Sequence, residues 1–146
     1  MPASAPARSP RSTSSLPGGV EAWGANFVRG IDVVPKDLDL VVSDAWQVGE
    51  ALDDLLVEPV REMPGWIAAW FGRAFCGALI EWVAGVHPDV DRPGPHEQGP
   101  AAESGLEDVV WEGHRIRCTA LRIQLAVAEC RGRVEAARRI RAFQEP

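Results

Sequence analysis

Asp37-Leu38-Asp39-Leu40-Val41-Val42 is the stretch on which the reading of this chain turns. Its β-branched residues and the period-two alternation at its start predict a strand. Residues two apart on a strand face the same side, so Asp37 and Asp39 present their carboxylates together while Leu38 and Leu40 face the other way. Carboxylates held that close repel unless a cation lies between them. An oxygen-only pair suits Mg2+ or Mn2+, which keep waters and take one or two carboxylates with substrate phosphates. Asp-x-Asp also arises by chance at strand ends, where it caps a loop, so the pair alone does not decide the matter.

A third carboxylate adds weight. Glu81 lies in Ala78-Leu79-Ile80-Glu81-Trp82-Val83, among residues that belong in a core. A lone ionised glutamate there is costly, so it needs a partner. Two partners are open: Arg73 on the facing strand of a hairpin, or a metal shared with Asp37 and Asp39.

Working outward, Asp44 followed by Gln47 reads as a capping box, and Trp46, Ala51, Leu52, Leu55 and Leu56 form an apolar stripe that ends near Pro59, so a helix follows the strand. Upstream, Trp23, Phe27 and Ile31 recur at helical spacing within Val20 to Ile31. Trp66 to Phe75 and Ala78 to Val86 read as strands joined at Cys76-Gly77. Pro88 to Gly105, with four prolines and three glycines, reads as a flexible surface loop. Val109-Val110-Trp111 and His114 to Cys118 form a second hairpin. A helix from about Ala120 follows, broken near Gly132 before Val134, Ala137 and Ile140. Residues 1–19, rich in Ser, Pro, Ala and Arg, read as a disordered tail, and residues 20–143 as one domain with the loop at 88–105.

The 146 residues, 46% of them hydrophobic, bound the chain to one domain with a sizeable core. A net charge of −6 argues against nucleic acid as the main partner. From Arg115 to Arg141 the basic residues are all arginine and outnumber the acids, so a compact polyphosphate could still be met there. Cys76, Cys118 and Cys130 lack Cys-x-x-Cys spacing and read as reduced thiols of a cytoplasmic protein. His87, His96 and His114 are too scattered for a zinc site. Gly65 to Val86 is long enough to span a bilayer, but Arg73, Glu81 and its glycines mark it as core strands, and no membrane association is expected.

Strand-borne Asp37-Leu38-Asp39, a following helix, and Glu81 on a later strand together resemble the nucleotidyltransferase superfamily, the fold of DNA polymerase β and of small antibiotic nucleotidyltransferases. The Val109 to Cys118 hairpin leading into a Leu- and Arg-bearing helix resembles the end of such domains. The resemblance covers about Val20 to Phe143 and implies an α+β fold with a mixed sheet of about five strands and helices packed mainly on one face. It further implies that Asp37 and Asp39 bind Mg2+ or Mn2+ carrying a nucleoside triphosphate, that Glu81 helps hold a second metal and activates an acceptor hydroxyl, and that a nucleoside monophosphate passes to a small molecule or a protein. Lys36 and the late arginines would neutralise phosphates or stay as solvated surface charges, and the tryptophans read mostly as core, with Trp70 or Trp82 at a cleft rim as the base-stacking alternative. One departure stands out. Where the family has a Gly-Ser pair before the Asp-x-Asp strand, this chain has Gly24-Ala25, with Gly18-Gly19 as a poorer counterpart. A second reading is therefore a non-catalytic member of the fold, a binding or antitoxin-like interaction module with Glu81 merely paired to Arg73.

Overall fold

The computed structural model describes residues 29–31 and 36–146, together with the backbone of residues 18–20. The expected helix over Val20 to Ile31 and the Gly24-Ala25 turn lie almost wholly outside the described residues, as does the tail before Gly18. The described part is α+β, as expected. Seven strands form one mixed sheet: β1 (Gly18–Val20), β2 (Asp37–Val42), β3 (Leu56–Glu62), β4 (Ala68–Phe75), β5 (Leu79–Val86), β6 (Leu106–Trp111) and β7 (His114–Thr119). Their order is β3-β4-β5-β2-β1-β7-β6. The helices are α1 (Ala45–Ala51), α2 (Pro100–Ser104), α3 (Leu121–Cys130) and α4 (Val134–Gln144). No helix among the described residues is long and apolar enough to cross a membrane. Cys76, Cys118 and Cys130 are free thiols.

The centre of the sheet positions the acids. β2 and β5 run parallel, with Asp37 opposite Leu79, Asp39 opposite Glu81 and Val41 opposite Val83. β4 is antiparallel to β5 and sets Arg73 against Glu81, while β3 sets Glu58 against Arg73. Strand alternation divides the two faces. One face packs Val42, Val60, Ala74, Trp82 and Ala84 against Ala45 and Val48 of α1. The other carries the acids beside a smaller cluster of Ala68, Phe71 and Val83.

Trp82 anchors the α1 face. It is fully buried and its Nε1 donates to the Ala45 carbonyl at 3.0 Å. Gly72, its cross-strand neighbour, makes the room: a Cβ there would stand 2.3 Å from Trp82 Cζ2. Trp82 is thus a core residue and not a cleft rim, because Glu81 before it takes the opposite face. Trp70 also turns to the α1 side, edge-on to Trp46 with ring centroids 5.8 Å apart.

Three expectations need correction. The helix after β2 ends at Ala51, a turn of 3-10 helix follows at Asp53–Leu55, and Leu56–Glu62 is a strand. Pro59 is accommodated because β3 is at the sheet edge, where a missing N–H costs no ladder bond, and its pairing with β4 is irregular on both sides of Glu58. Trp46 is half exposed rather than core; Ala45, Val48 and Gly49 form the buried stripe of α1. The stretch 88–105 carries a 3-10 turn at Pro88–Asp91 and the short helix α2. Asp91 ties them together: Oδ1 accepts from the His96 amide at 2.9 Å and Oδ2 from the Ala101 amide at 2.8 Å.

Other expectations hold. Asp44 caps α1 by accepting from the amides of Trp46 at 3.0 Å and Gln47 at 3.1 Å. The β4–β5 hairpin turns at Cys76-Gly77. Glu112 and Gly113 both take positive φ, 48° and 78°, the conformation that matches the twist of a two-residue hairpin between β6 and β7. Arg131, Gly132 and Arg133 separate α3 from α4.

Candidate active site

Asp37, Asp39 and Glu81 converge. Each offers a carboxylate oxygen within 4.8 Å of the others, and each is partly buried. Adjacent parallel strands impose this: Asp37 and Asp39 share one face of β2, and the register places Glu81 directly beside Asp39. Asp39 and Glu81 line a cleft of about 590 Å³ with Arg73, Trp66, Phe71 and the segment His96–Gln98.

The charges run as a ladder across four strands. Glu58, Arg73, Glu81 and Asp39 are successive cross-strand neighbours. Arg73 donates from Nη1 to Glu58 at 2.6 Å and from Nε to Glu81 Oε1 at 2.7 Å, and its Nη2 bonds the same Oε1. The ion pair with Arg73 is therefore present, yet it engages only one oxygen of Glu81. Phe71 supports the arginine, whose guanidinium carbon lies 5.3 Å from the ring centroid.

Asp39 feels the crowding. Its carboxyl is pushed up to about 6, first by burial, then by the charges of Asp37 and Glu81, a hydrogen bond with Glu81 and the charge of Glu97. A cluster that resists losing its protons is one that a divalent cation would relieve. Three carboxylates without nitrogen or sulfur form a donor set for a hard ion, so the residues fit Mg2+ or Mn2+.

The loop segment contributes residues that sequence reasoning missed. Glu97 and Gln98 line the carboxylate cleft and also a second cleft of about 430 Å³ between the loop, the ends of β2 and β5, and β7. Glu97 Oε1 pairs with Arg131 at 3.0 Å and Arg133 at 3.8 Å, whereas its Oε2 and the Gln98 Oε1 are buried without hydrogen bonds. Such unpaired acceptors typically cost about 1–3 kcal/mol each. His96 is held below the ordinary imidazole value, chiefly by burial, with Arg131 and Arg133 acting in the same sense and Glu97 and Asp91 opposing. Glu97 lies 34 residues from its arginine, so no local pattern could have revealed the pairing. Glu58 was overlooked because β3 itself was.

The remaining expected residues fall outside the cluster. Lys36 is exposed immediately before β2, and Gly24 and Ala25 lie outside the described residues. Among the late arginines, Arg138 and Arg139 pair with Glu135, and Arg141 with Glu129, so these are surface ion pairs. Trp66, not Trp70 or Trp82, is the tryptophan at the cleft; it is 38% exposed and edge-on to Phe71 at 5.8 Å.

Comparison with solved structures agrees with this architecture. A provisionally assigned nucleotidyltransferase of Thermotoga maritima, TM1012, superposes with a TM-score of 0.65 at 18% identity, covering 90% of this chain and 84% of its own. The crystal structure of ANT(2″)-Ia in complex with adenylyl-2″-tobramycin gives a TM-score of 0.53 at 16% identity, over 89% of this chain and 80% of that one. The solution structure of the antibiotic-resistance factor ANT(2″)-Ia gives 0.53 at 13% identity, over 89% and 76%. No protein-family profile and no curated protein matches the sequence. The chain has the nucleotidyltransferase fold.

Proposed function

We propose that this protein is a divalent-metal-dependent nucleotidyltransferase that moves a nucleoside monophosphate from a nucleoside triphosphate to a hydroxyl of a small molecule or a protein. The observation that carries the reading is the convergence of Asp37, Asp39 and Glu81 on the open face of this fold. Asp37, Asp39 and Glu81 would hold Mg2+ or Mn2+. When bound, the metal supplies neutralisation of the triphosphate and polarisation of the phosphoryl group. The acceptor oxygen attacks the α-phosphorus as the bond to the bridging oxygen breaks; pyrophosphate leaves, and the hydroxyl proton passes to the Glu81 carboxylate. Arg73 orients that carboxylate by holding Oε1. Lys36, exposed just before Asp37, would meet phosphate charge, and Gly24-Ala25 is the sequence's counterpart of the Gly-Ser pair that contacts the triphosphate in the nucleotidyltransferase superfamily. Reduced thiols suit a cytoplasmic setting.

A second reading, a non-catalytic binding or antitoxin-like interaction module, draws on Gly24-Ala25 in place of Gly-Ser and on the Arg73–Glu81 pair. One experiment separates the two. The protein is incubated with each α-labelled nucleoside triphosphate and Mg2+ or Mn2+, and pyrophosphate release and label transfer are measured against Asp39→Ala. The enzyme reading expects metal-dependent release that falls about 100-fold or more in the variant. No metal-dependent nucleotide binding in either protein would leave the interaction module standing.

A further inference from the structure

The acid face of the sheet is laid out in rows. Asp39, Glu81, Arg73 and Glu58 form one. The next, about 7 Å along the strands, is Val41, Val83, Phe71 and Arg61. Glu58 and Arg61 are three residues apart, a spacing that sends side chains of a regular strand to opposite faces. The register of β3 against β4 shifts between them, and both line the carboxylate cleft.

That irregularity brings to the cleft a cation that the fold leaves largely uncommitted. Among the described residues lining it, the arginines are Arg61 and Arg73, and His96, held below the ordinary imidazole value chiefly by burial, is neutral near pH 7. Arg73 is bound to Glu58 and Glu81 through Nη1, Nε and Nη2. Arg61 pairs with Glu58 Oε2 at 3.3 Å, and more than half of its side chain is exposed. An exposed pair of that length contributes little, so the guanidinium can leave it for a stronger anion at small cost. Its position is nevertheless defined. The guanidinium carbon of Arg61 lies 5.7 Å from the Phe71 centroid and that of Arg73 lies 5.3 Å from the same centroid. One buried ring therefore supports both the arginine that holds Glu81 and the arginine that is available.

A cation held among the acids and a planar fork one row away are two positive points in one cleft of about 590 Å³. A chain of linked phosphates meets both: the metal takes oxygens of one phosphate, and the guanidinium takes two oxygens of the next. We propose that Arg61 is a polyphosphate-binding residue of this chain, meeting the β- and γ-phosphates of the nucleotide donor and then the leaving pyrophosphate. This rests on the transfer reaction proposed above, and it gives phosphate charge a partner in a chain where Ala25 has no hydroxyl to offer.

The test uses the full chain with Mn2+, titrated by calorimetry with inorganic pyrophosphate and with a non-hydrolysable ATP analogue, while electron paramagnetic resonance follows the metal. Arg61→Gln should weaken pyrophosphate binding about tenfold to a hundredfold, the scale of hydrogen bonds to a charged group, and should not weaken Mn2+ binding. Arg61→Lys, which keeps the charge and loses the fork, should fall between wild type and Arg61→Gln, and it decides if the glutamine variant does not fold. Arg92→Gln, which removes an exposed charge outside the cleft, should change neither. Pyrophosphate binding unchanged in a folded Arg61 variant, weakened as much by Arg92→Gln, lost together with Mn2+ binding, or absent from wild type would overturn the assignment. Label transfer from α-labelled nucleotide is followed in the same proteins. Pyrophosphate binding that depends on Arg61 without any transfer would sink the reaction alone, and transfer with an unchanged nucleotide KM in Arg61→Gln would sink this assignment alone.

Discussion

Arg73 meets Glu81 through one oxygen and leaves the other outside the ion pair. Nε, at 2.7 Å, and Nη2 both bond Oε1. The two partners weighed for Glu81 are therefore compatible: the arginine stabilises the charge from the β4 side, and the carboxylate still meets Asp39 on the β2 side.

Removing the arginine should act on stability and on cation binding in opposite directions. Arg73→Gln deletes the pairs to Glu58 and Glu81 and leaves those acids facing each other across β4. The urea midpoint at pH 7 should fall. The cluster also becomes more anionic, so Mn2+ affinity in low salt, read by electron paramagnetic resonance, should rise about threefold to tenfold. Weaker Mn2+ binding in a folded variant would mean that Arg73 contributes chiefly by holding Glu81 in place.

Asp39 gives the fold an unusual pH dependence. Its carboxyl titrates at about 6 against an ordinary value of 3.8. Between those values the folded state holds more protons than the unfolded state, so this group's contribution is fully present below about pH 4 and is lost as pH rises through about 6. With solvent screening allowed for, the loss is on the order of 1–2 kcal/mol. In EDTA, Asp39→Asn should therefore be more stable than wild type at pH 7 and should flatten the slope between pH 4 and 6. Mg2+ should raise the wild-type denaturation midpoint and leave the variant's nearly unchanged. A variant less stable than wild type at pH 7 in EDTA would contradict the sign.

What could be read from the sequence, and what could not, follows the range of the interactions. The Asp-x-Asp strand, the Asp44 cap and both hairpins rest on local alternation and turn chemistry, and they are where the spacing puts them. Leu55 and Leu56 misled because two leucines in line with a helical stripe look the same whether the chain continues as helix or turns into an edge strand. Trp82 was placeable in principle: with Glu81 facing the acids, period two sends its neighbour to the other face. His96-Glu97-Gln98 was not. Its position depends on Asp91 and on Arg131 far along the chain, and nothing in the segment's own composition distinguishes it from a solvated loop.

Gly72 should tolerate no side chain. The Cβ of Gly72→Ala would lie 2.3 Å from Cζ2 and 2.4 Å from Cε2 of Trp82, whose indole is fully buried and bonded to the Ala45 carbonyl. Overpacking of this kind costs about 1–3 kcal/mol. Because Trp82 is next to Glu81 on β5, a shifted indole should also weaken Mn2+ binding at the carboxylates in protein that remains folded. Chemical denaturation and near-ultraviolet circular dichroism of the tryptophans would show the first effect and an Mn2+ titration the second, and an unchanged spectrum with full stability would show that the sheet yields here freely.

Asp91 should matter for the loop more than for the fold. Its two oxygens take the amides of His96 and Ala101, while the strands bearing Asp37, Asp39 and Glu81 pair without it. Loss of two bonds to a charged acceptor should cost about 1.5–3 kcal/mol for each bond in Asp91→Ala, most of it local to residues 92–101. Hydrogen exchange at the His96 and Ala101 amides should accelerate by tenfold or more, on the scale of about 1.4 kcal/mol per decade. Exchange in β2 and β5 should be unchanged. Mn2+ binding to the carboxylates should then persist. Equal acceleration throughout the sheet would show instead that Asp91 supports the whole domain.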